Sequence, residues 1–411
     1  MALAASWKSS DMSGAGDTVL VCGAGPVGLT AALYLARQGV QVRVFERYNE
    51  VFEDPRAATF HPPTLELYEP TGVTQRLHEL GIVAPRWQMR DRRKGIIVEY
   101  DLSVLADVTK FPYRLQCEQH KLSRVLLEKL AAFPNVTVEW GKEVADTRQD
   151  ADGVEIVFAD GSHARGGWLI GTDGGRSVVR KSQDIGFEGF TYEERFLVIT
   201  TTHDFEPDGY TFSNYVSDPE EWAALFKVPG KGPPGIWRVV FPVPVQDSEE
   251  SLLDFGAAQR RLVKFLPVHS HYNVIHTNLY QVHQRVASAY RKGRVFLAGD
   301  AAHVNNPLGG MGMNFGIHDA INLADKLGNV IHGKAGEATL DRYDRQRRHV
   351  AHAFLQAMTI QNKKLLEERD EDKRAKAQEE LRSLANDKPR MREVLLRTSM
   401  IEGFRAAAAI E

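Results

Sequence analysis

Cysteine is nearly absent: Cys22 and Cys117 are the two in the chain, with no C-x-x-C pair and no His/Cys grouping at metal-ligand spacing. Neither a disulfide framework nor a metal site is therefore expected. An apolar run long enough to cross a bilayer is missing, and Met1–Asp17 lacks the apolar stretch of a secretory signal. That segment reads as a mobile tail on a cytoplasmic protein with no membrane partner. An excess of charge of one sign is lacking too. The 51 basic and 54 acidic residues leave a formal net charge of -3, too weak a field to gather nucleic acid. No internal repeat occurs. What the chain has is 43% apolar residues over 411 positions, ample for a core shared by two or three cooperating units. Disorder is excluded, and small-molecule chemistry is the expected task.

The β-branched run Thr18–Cys22, the helix pattern Pro26–Gln38 and the strand-like Val40–Phe45 compose a βαβ unit. Pro, His and Thr then dominate Val51–Glu69, which reads as a loop and short helix lying across a cofactor. Gln119–Ala132 is amphipathic, Val136–Glu139 is a strand, and Asp150–Gly161 is a hairpin. Short strands between Pro/Gly turns follow from Gly186 to Tyr290, among them Phe196–Thr202, Trp237–Val243 and His276–Val282. Helical periodicity returns at Met313–Ile331, and the chain is charged and helical beyond Leu340. The run Glu367–Arg374 reads as a solvated helix face, with a homodimer contact as the alternative.

Three separated motifs carry chemistry. Gly23-Ala24-Gly25-Pro26-Val27-Gly28 follows a strand and opens a helix, so its backbone can turn tightly against a pyrophosphate that meets the helix amino terminus. Glu46, ending the next strand, supplies the carboxylate that accepts from an adenosine ribose, beside Arg47. The second motif, Gly171-Thr172-Asp173-Gly174-Gly175-Arg176-Ser177 with Arg180, serves cofactor phosphates or caps and pairs locally; both readings are open. In the third, Arg294–Leu297 is a strand delivering Gly299-Asp300-Ala301-Ala302-His303, followed by Pro307, Gly309-Gly310, Gly312 and Asn314. A carboxylate there reaches a sugar-like hydroxyl chain, and a helix amino terminus near Met311 faces charge developing on a reduced ring.

In that order and spacing the motifs resemble the class A flavoprotein monooxygenases, the fold group of para-hydroxybenzoate hydroxylase, from about Thr18 to Arg348. The resemblance implies an α/β fold with a Rossmann-like FAD-binding domain (GR2-type), an inserted antiparallel β-sheet substrate domain and a C-terminal helical segment. The expected units are a tail at 1–17, the first part of the FAD domain at 18–185 with a small β excursion near 86–107, the substrate sheet at 186–289, the FAD return at 290–335 and helices at 336–411. It further implies FAD contacts for Gly23, Gly25, Gly28, Glu46, Arg56, Gln119, Asp173 and Asp300, with Pro307, Gly310, Met313 and Asn314 in the loop beside the isoalloxazine. Two departures stand out. Ser123 replaces an acid that many relatives carry, and no thioredoxin-like carboxy-terminal domain is expected.

The implied reaction is hydroxylation of a small electron-rich aromatic, a phenolic or heteroaromatic acid, using dioxygen and NADPH or NADH through a flavin hydroperoxide. A single dinucleotide fingerprint disfavours the reductases that need two. The candidate catalytic residues are Arg238, on the strand implied to pass the substrate cavity, together with Pro307, His203 and Tyr215. His303 is set aside as loop support. Epoxidation, oxidative decarboxylation or ring opening on the same fold is the alternative, and a non-catalytic FAD-binding protein is a further one.

Overall fold

Val19–Cys22 is buried at every position, as expected of a central parallel strand covered on both faces. The computed structural model describes residues 17–53 and 57–411; positions 1–16 of the expected tail, and Arg56, lie outside the described residues. Around Val19–Cys22 runs a six-stranded sheet in the order Arg291–Lys292, Val295–Leu297, Trp168–Gly171, Val19–Cys22, Val42–Glu46, Val136–Trp140. All its pairs are parallel except that of the short edge strand Arg291–Lys292. Helix Pro26–Ala36 packs on helices Gln119–Leu130 and Gly312–Ile331. This topology sets the turns after Cys22 and Gly171 side by side and brings the one after Leu297 next to them, so three motifs far apart in sequence share one sheet edge.

The second sheet has eight strands, ordered His303–Val304, Val274–Ala287, Phe187–Thr201, Ile236–Pro244, Ala223–Val228, Ser213–Ser217, Arg86–Asp91, Gly95–Asp101. Here the expected excursion near 86–107 is corrected. Its strands belong to this sheet rather than to the cofactor domain, because Trp87, Met89, Val98 and Tyr100 share a core with Phe196, Tyr215 and Trp222. The sheet is also not wholly antiparallel, since Ser213–Ser217 pairs with Arg86–Asp91 in parallel. Two helices, Glu249–Leu253 and Phe255–Phe265, interrupt a segment expected to hold strands alone; the side chains of Ser248 and Asp254 cap them.

Strand alternation gives the large sheet two characters. Trp237, Val239 and Phe241 face a core with helix Phe255–Phe265, while Val240 joins the opposite core with Tyr215 and Val198. Arg238 has the parity of Val240. The C-terminal helices reach across this second side: Gln378 Nε2 donates to Asp91 Oδ2 at 2.8 Å, Arg392 pairs with Asp107 at 2.7 Å, and Asn362 Nδ2 donates to the Leu308 carbonyl at 3.1 Å. Among the described residues, no helix is long and apolar enough to cross a membrane.

Candidate active site

The first motif's glycines are needed for three different reasons. Gly23 sits at φ +104°, and a Cβ there would lie 2.6 Å from the Thr172 carbonyl oxygen. A Cβ on Gly28 would lie 2.0 Å from the Gly23 carbonyl oxygen. Gly25 has nothing within 4 Å of its Cβ direction, so only there does a side chain project into free space. That space is a cleft lined by the glycine turn, Glu46, Arg47, Gln119, Asp173 and Arg176. Helix Pro26–Ala36 opens onto it with no side-chain cap and no acidic residue in its first turn, which leaves its N–H groups for an anion.

Glu46 Oε2 accepts from the Ala24 N–H at 2.8 Å and Oε1 from the Tyr48 N–H at 3.1 Å, so the carboxylate holds the turn as well as facing the cleft. Arg47 Nη2 donates to the Tyr48 hydroxyl at 2.9 Å on the exposed rim. Gln119 opens its helix, its N–H on the Ala57 carbonyl at 3.0 Å. An open cradle, a helix amino terminus and a ribose-side carboxylate in one cleft fit an adenine dinucleotide.

The second motif resolves mainly toward capping. Asp173 accepts from Ser177 Oγ at 2.5 Å and from the N–H groups of Val178 and Val179 at 2.7 and 3.1 Å, and burial raises its carboxyl above the usual range despite those donors. Arg180 donates to the Ala301 and Gly175 carbonyls at 2.8 and 2.9 Å, tying this motif to the third. Arg176 lines the cleft. Thr172, which the sequence reading passed over, locks the glycine turn through Oγ1 to the Cys22 carbonyl at 2.7 Å.

In the third motif Asp300 is exposed in the short helix Gly299–Ala301, at the turn where the sheet ends. Behind it lies a buried ionic knot. Asp319 takes His303 Nε2 at 2.8 Å, Arg347 Nε at 2.6 Å and the Gly299 N–H at 3.1 Å. Burial works against the Asp319 carboxylate, yet Arg347 and His303 hold it below its usual range. His303 thus supports the loop.

The loop is held by contacts within the protein. Asn314 has four hydrogen bonds: it accepts from the His61 N–H and Thr64 Oγ1, and donates to the Thr59 and Gly310 carbonyls at 2.8 and 2.9 Å. Its side chain is a staple between loop and strand Thr59–Phe60, and Met313 is packed in the cofactor-domain core. Gly310, at φ +65°, directs its Cβ position onto the Thr59 Cβ at 2.8 Å, not into open space. What helix Gly312–Ile331 offers a ring is its uncapped amino terminus, free of acidic residues in its first turn. Pro307 is half-buried, its carbonyl accepting from the Gly310 N–H at 2.9 Å.

The substrate-side candidates separate. Tyr215 reaches the loop directly, its hydroxyl accepting from the Gly309 N–H at 3.0 Å. Arg238 is buried, in a cross-strand row with Ser213, Phe226 and Thr200. His203 is a correction: it lies with Phe205, Tyr272 and His269, on the side of the sheet away from the loop. Its Nε2 meets Asp208 Oδ2 at 2.9 Å, and His269 Nε2 meets Oδ1 of the same carboxylate at 2.8 Å. This is the trio with metal-ligand chemistry among the described residues, and its third member, distant in sequence, was invisible to spacing.

Sequence reading also missed three polar residues beside the loop. His61 Nε2 meets the Gly309 carbonyl at 3.0 Å, and burial, aided by Arg114, lowers its pKa to about 3, leaving a neutral ring. Gln116 Oε1 accepts from Thr59 Oγ1 at 2.8 Å, and Arg114 lies across the Trp87 ring at 4.8 Å. The polar alternation of Arg114-Leu115-Gln116 was the available signal.

A family model described as FAD binding domain matches residues 17–358. The para-nitrophenol 4-monooxygenase of Pseudomonas sp. (strain WBC-3) is 35% identical over 95% of this chain and 97% of its own. The 6-hydroxy-3-succinoylpyridine 3-monooxygenase of Pseudomonas putida (strain DSM 28022 / S16) is 32% identical over 94% and 98%. The crystal structure of p-nitrophenol 4-monooxygenase from Pseudomonas putida DLL-E4 superposes with a TM-score of 0.88 at 34% identity, covering 94% of this chain and 98% of that one. The chain belongs to the class A FAD-dependent aromatic monooxygenases of the para-hydroxybenzoate hydroxylase group, and its activity is flavin-dependent hydroxylation of an aromatic ring.

Proposed function

We propose that this enzyme oxygenates a small phenol or hydroxypyridine at the ring carbon para to the hydroxyl, displacing the electron-withdrawing substituent carried there. The observation that carries this reading is shared by the two full-length relatives. Each name places the new oxygen on the carbon that already bears the nitro or succinoyl group, and in both that carbon is para to the hydroxyl. A bound FAD supplies reducing equivalents from NADPH or NADH and activates dioxygen. The chain's own residues do the rest. The Gly23–Gly28 turn and helix Pro26–Ala36 bind the pyrophosphate, Glu46 the ribose and Asp300 the hydroxyl chain. Tyr215 and Arg238 orient the ring beneath the Pro307–Gly310 loop, and the two apolar cores exclude water. We place the enzyme in the cytoplasm; a homodimer through the C-terminal helices is an accessory reading.

The test is turnover of 4-nitrophenol under isotopically labelled dioxygen. Stimulated NAD(P)H oxidation, release of nitrite and label in the ring product are expected. Oxidation that ends wholly in peroxide across a panel of para-substituted phenols and hydroxypyridines would refute this substrate class.

A further inference from the structure

We infer that Arg114 is the residue that receives the substrate's ring hydroxyl as an oxyanion, an assignment that rests on the proposed substrate class. Arg114 is 2% exposed, in the middle strand of the small sheet Thr59–Phe60, Arg114–Gln116, Ile82–Ala84. Among the described residues no carboxylate lies within ion-pair distance of it. Its neighbours are the Ser213 hydroxyl, 3.3 Å from Nη1, the Tyr215 phenol and the face of Trp87. Guanidinium does not give up its proton under such conditions, so among the described residues this is a buried cation without a counter-charge, an arrangement that proteins keep where a ligand brings the charge.

The surrounding polar atoms point the same way. Arg114 Nε, Gln116 Nε2, His61 Nδ1 and Trp87 Nε1 are all buried and meet no hydrogen-bond partner among the described residues. Arg114 and Gln116 share a strand face, Gln116 and His61 are tied to Thr59 and Gly309, and Tyr215 joins that loop to Arg114. The unpaired groups thus belong to residues linked through Thr59, Gly309, Tyr215 and the Trp87 ring, and three of the four are donors. A phenolate oxygen accepts from several donors at once and cancels the charge. Holding the ring as phenolate also raises its electron density, which an electrophilic oxygen transfer requires. Arg238 lies beyond Phe226 on the row that starts at Ser213, where it would meet the ring or its substituent.

The competing anion is the reduced flavin, and ligand binding separates the two. FAD-loaded enzyme, without NAD(P)H, is titrated with 4-nitrophenol, whose phenol and phenolate forms differ in colour. The parent is expected to bind it ionised at a pH where the free compound is mostly protonated. Arg114→Met at equal flavin content should bind at least about tenfold more weakly, with the bound ligand protonated. Arg114→Lys keeps the charge but not the planar fork, and should keep the ligand ionised with weaker binding; it carries the test if Arg114→Met does not fold. Unchanged affinity in the variants overturns the assignment, and so does a lowered flavin potential in Arg114→Met with phenolate binding intact. A parent that binds no phenol of the panel instead removes the substrate class, and this inference with it.

Discussion

Substituting alanine at Gly25 and at Gly28 should separate cofactor binding from folding within one six-residue motif. At Gly25 the backbone is extended, φ -75° and ψ 179°, a conformation any residue adopts, and the new methyl meets no atom within 4 Å. Alanine narrows the unfolded ensemble, a gain of about 0.4–1 kcal/mol, and is a poorer helix N-cap by a similar amount. The apoprotein's stability should therefore stay within about 1 kcal/mol of the parent. The methyl, however, occupies the floor of the cleft, where phosphate oxygens must approach backbone N–H groups. Losing one charge-assisted hydrogen bond costs about 1.5–3 kcal/mol, or roughly ten- to a hundredfold in affinity for FAD. At Gly28 the added carbon would lie 2.0 Å from the Gly23 carbonyl oxygen and 2.6 Å from Thr172 Oγ1, and backbone cannot yield as a flexible side chain does. The cost there falls on the fold, at about 3 kcal/mol or more. Denaturant midpoints of the apoproteins, paired with flavin fluorescence titrations, read both quantities. Parental FAD affinity in Gly25→Ala would show that the cradle is not the phosphate site, and an apoprotein as damaged as Gly28→Ala would show that Gly25 does not face open space.

Glu46→Ala removes the acceptor of the Ala24 and Tyr48 N–H groups along with the proposed ribose contact, so FAD should dissociate about ten- to a hundredfold more readily; equal retention after gel filtration would refute the role. Asp319→Asn leaves Arg347 and His303 buried without their carboxylate, at a cost of about 3–5 kcal/mol at neutral pH. Because the Asp319 pKa is depressed below 3.8, its contribution is present above that value and lost as pH falls through the lower folded one. The variant's urea midpoint should accordingly start lower and decline less below about pH 4, and a parallel acid limb would contradict this. Arg238→Ala is expected to keep FAD and weaken aromatic ligand binding; unchanged ligand affinity by flavin absorbance would remove Arg238 from the site.

The βαβ unit with its glycine turn was legible because its determinants are local. A glycine turn, the strand before it, the helix after it and the acid on the next strand all lie between Thr18 and Glu46, and each answers to backbone geometry that the residues themselves declare. The substrate half depends on which strands pair and which way each faces, and those choices are made by residues far apart. His203 lies two residues past Thr201, where the strand ends, and only the packing of Phe205 and Tyr272 under helix Phe255–Phe265 sends it to the outer side. Arg86–Asp91 carries no mark of its membership in the large sheet until Ser213–Ser217 aligns beside it.

Gly310 shows the same limit at atomic scale. Its place in a glycine-rich loop announces a close approach, but not to what. The structure answers with Thr59, whose hydroxyl donates to Gln116, two residues from Arg114 on the same strand face. A methyl at Gly310 would therefore press on Thr59 and Gln116 first, and any loss of coupling between NAD(P)H oxidation and product would travel through the polar cluster rather than through direct contact with the ring. Loop and cluster are thus a single mechanical unit. Gly310 is braced on Thr59 and, through it, on Gln116 in the strand of Arg114, so a change on either side is felt by both.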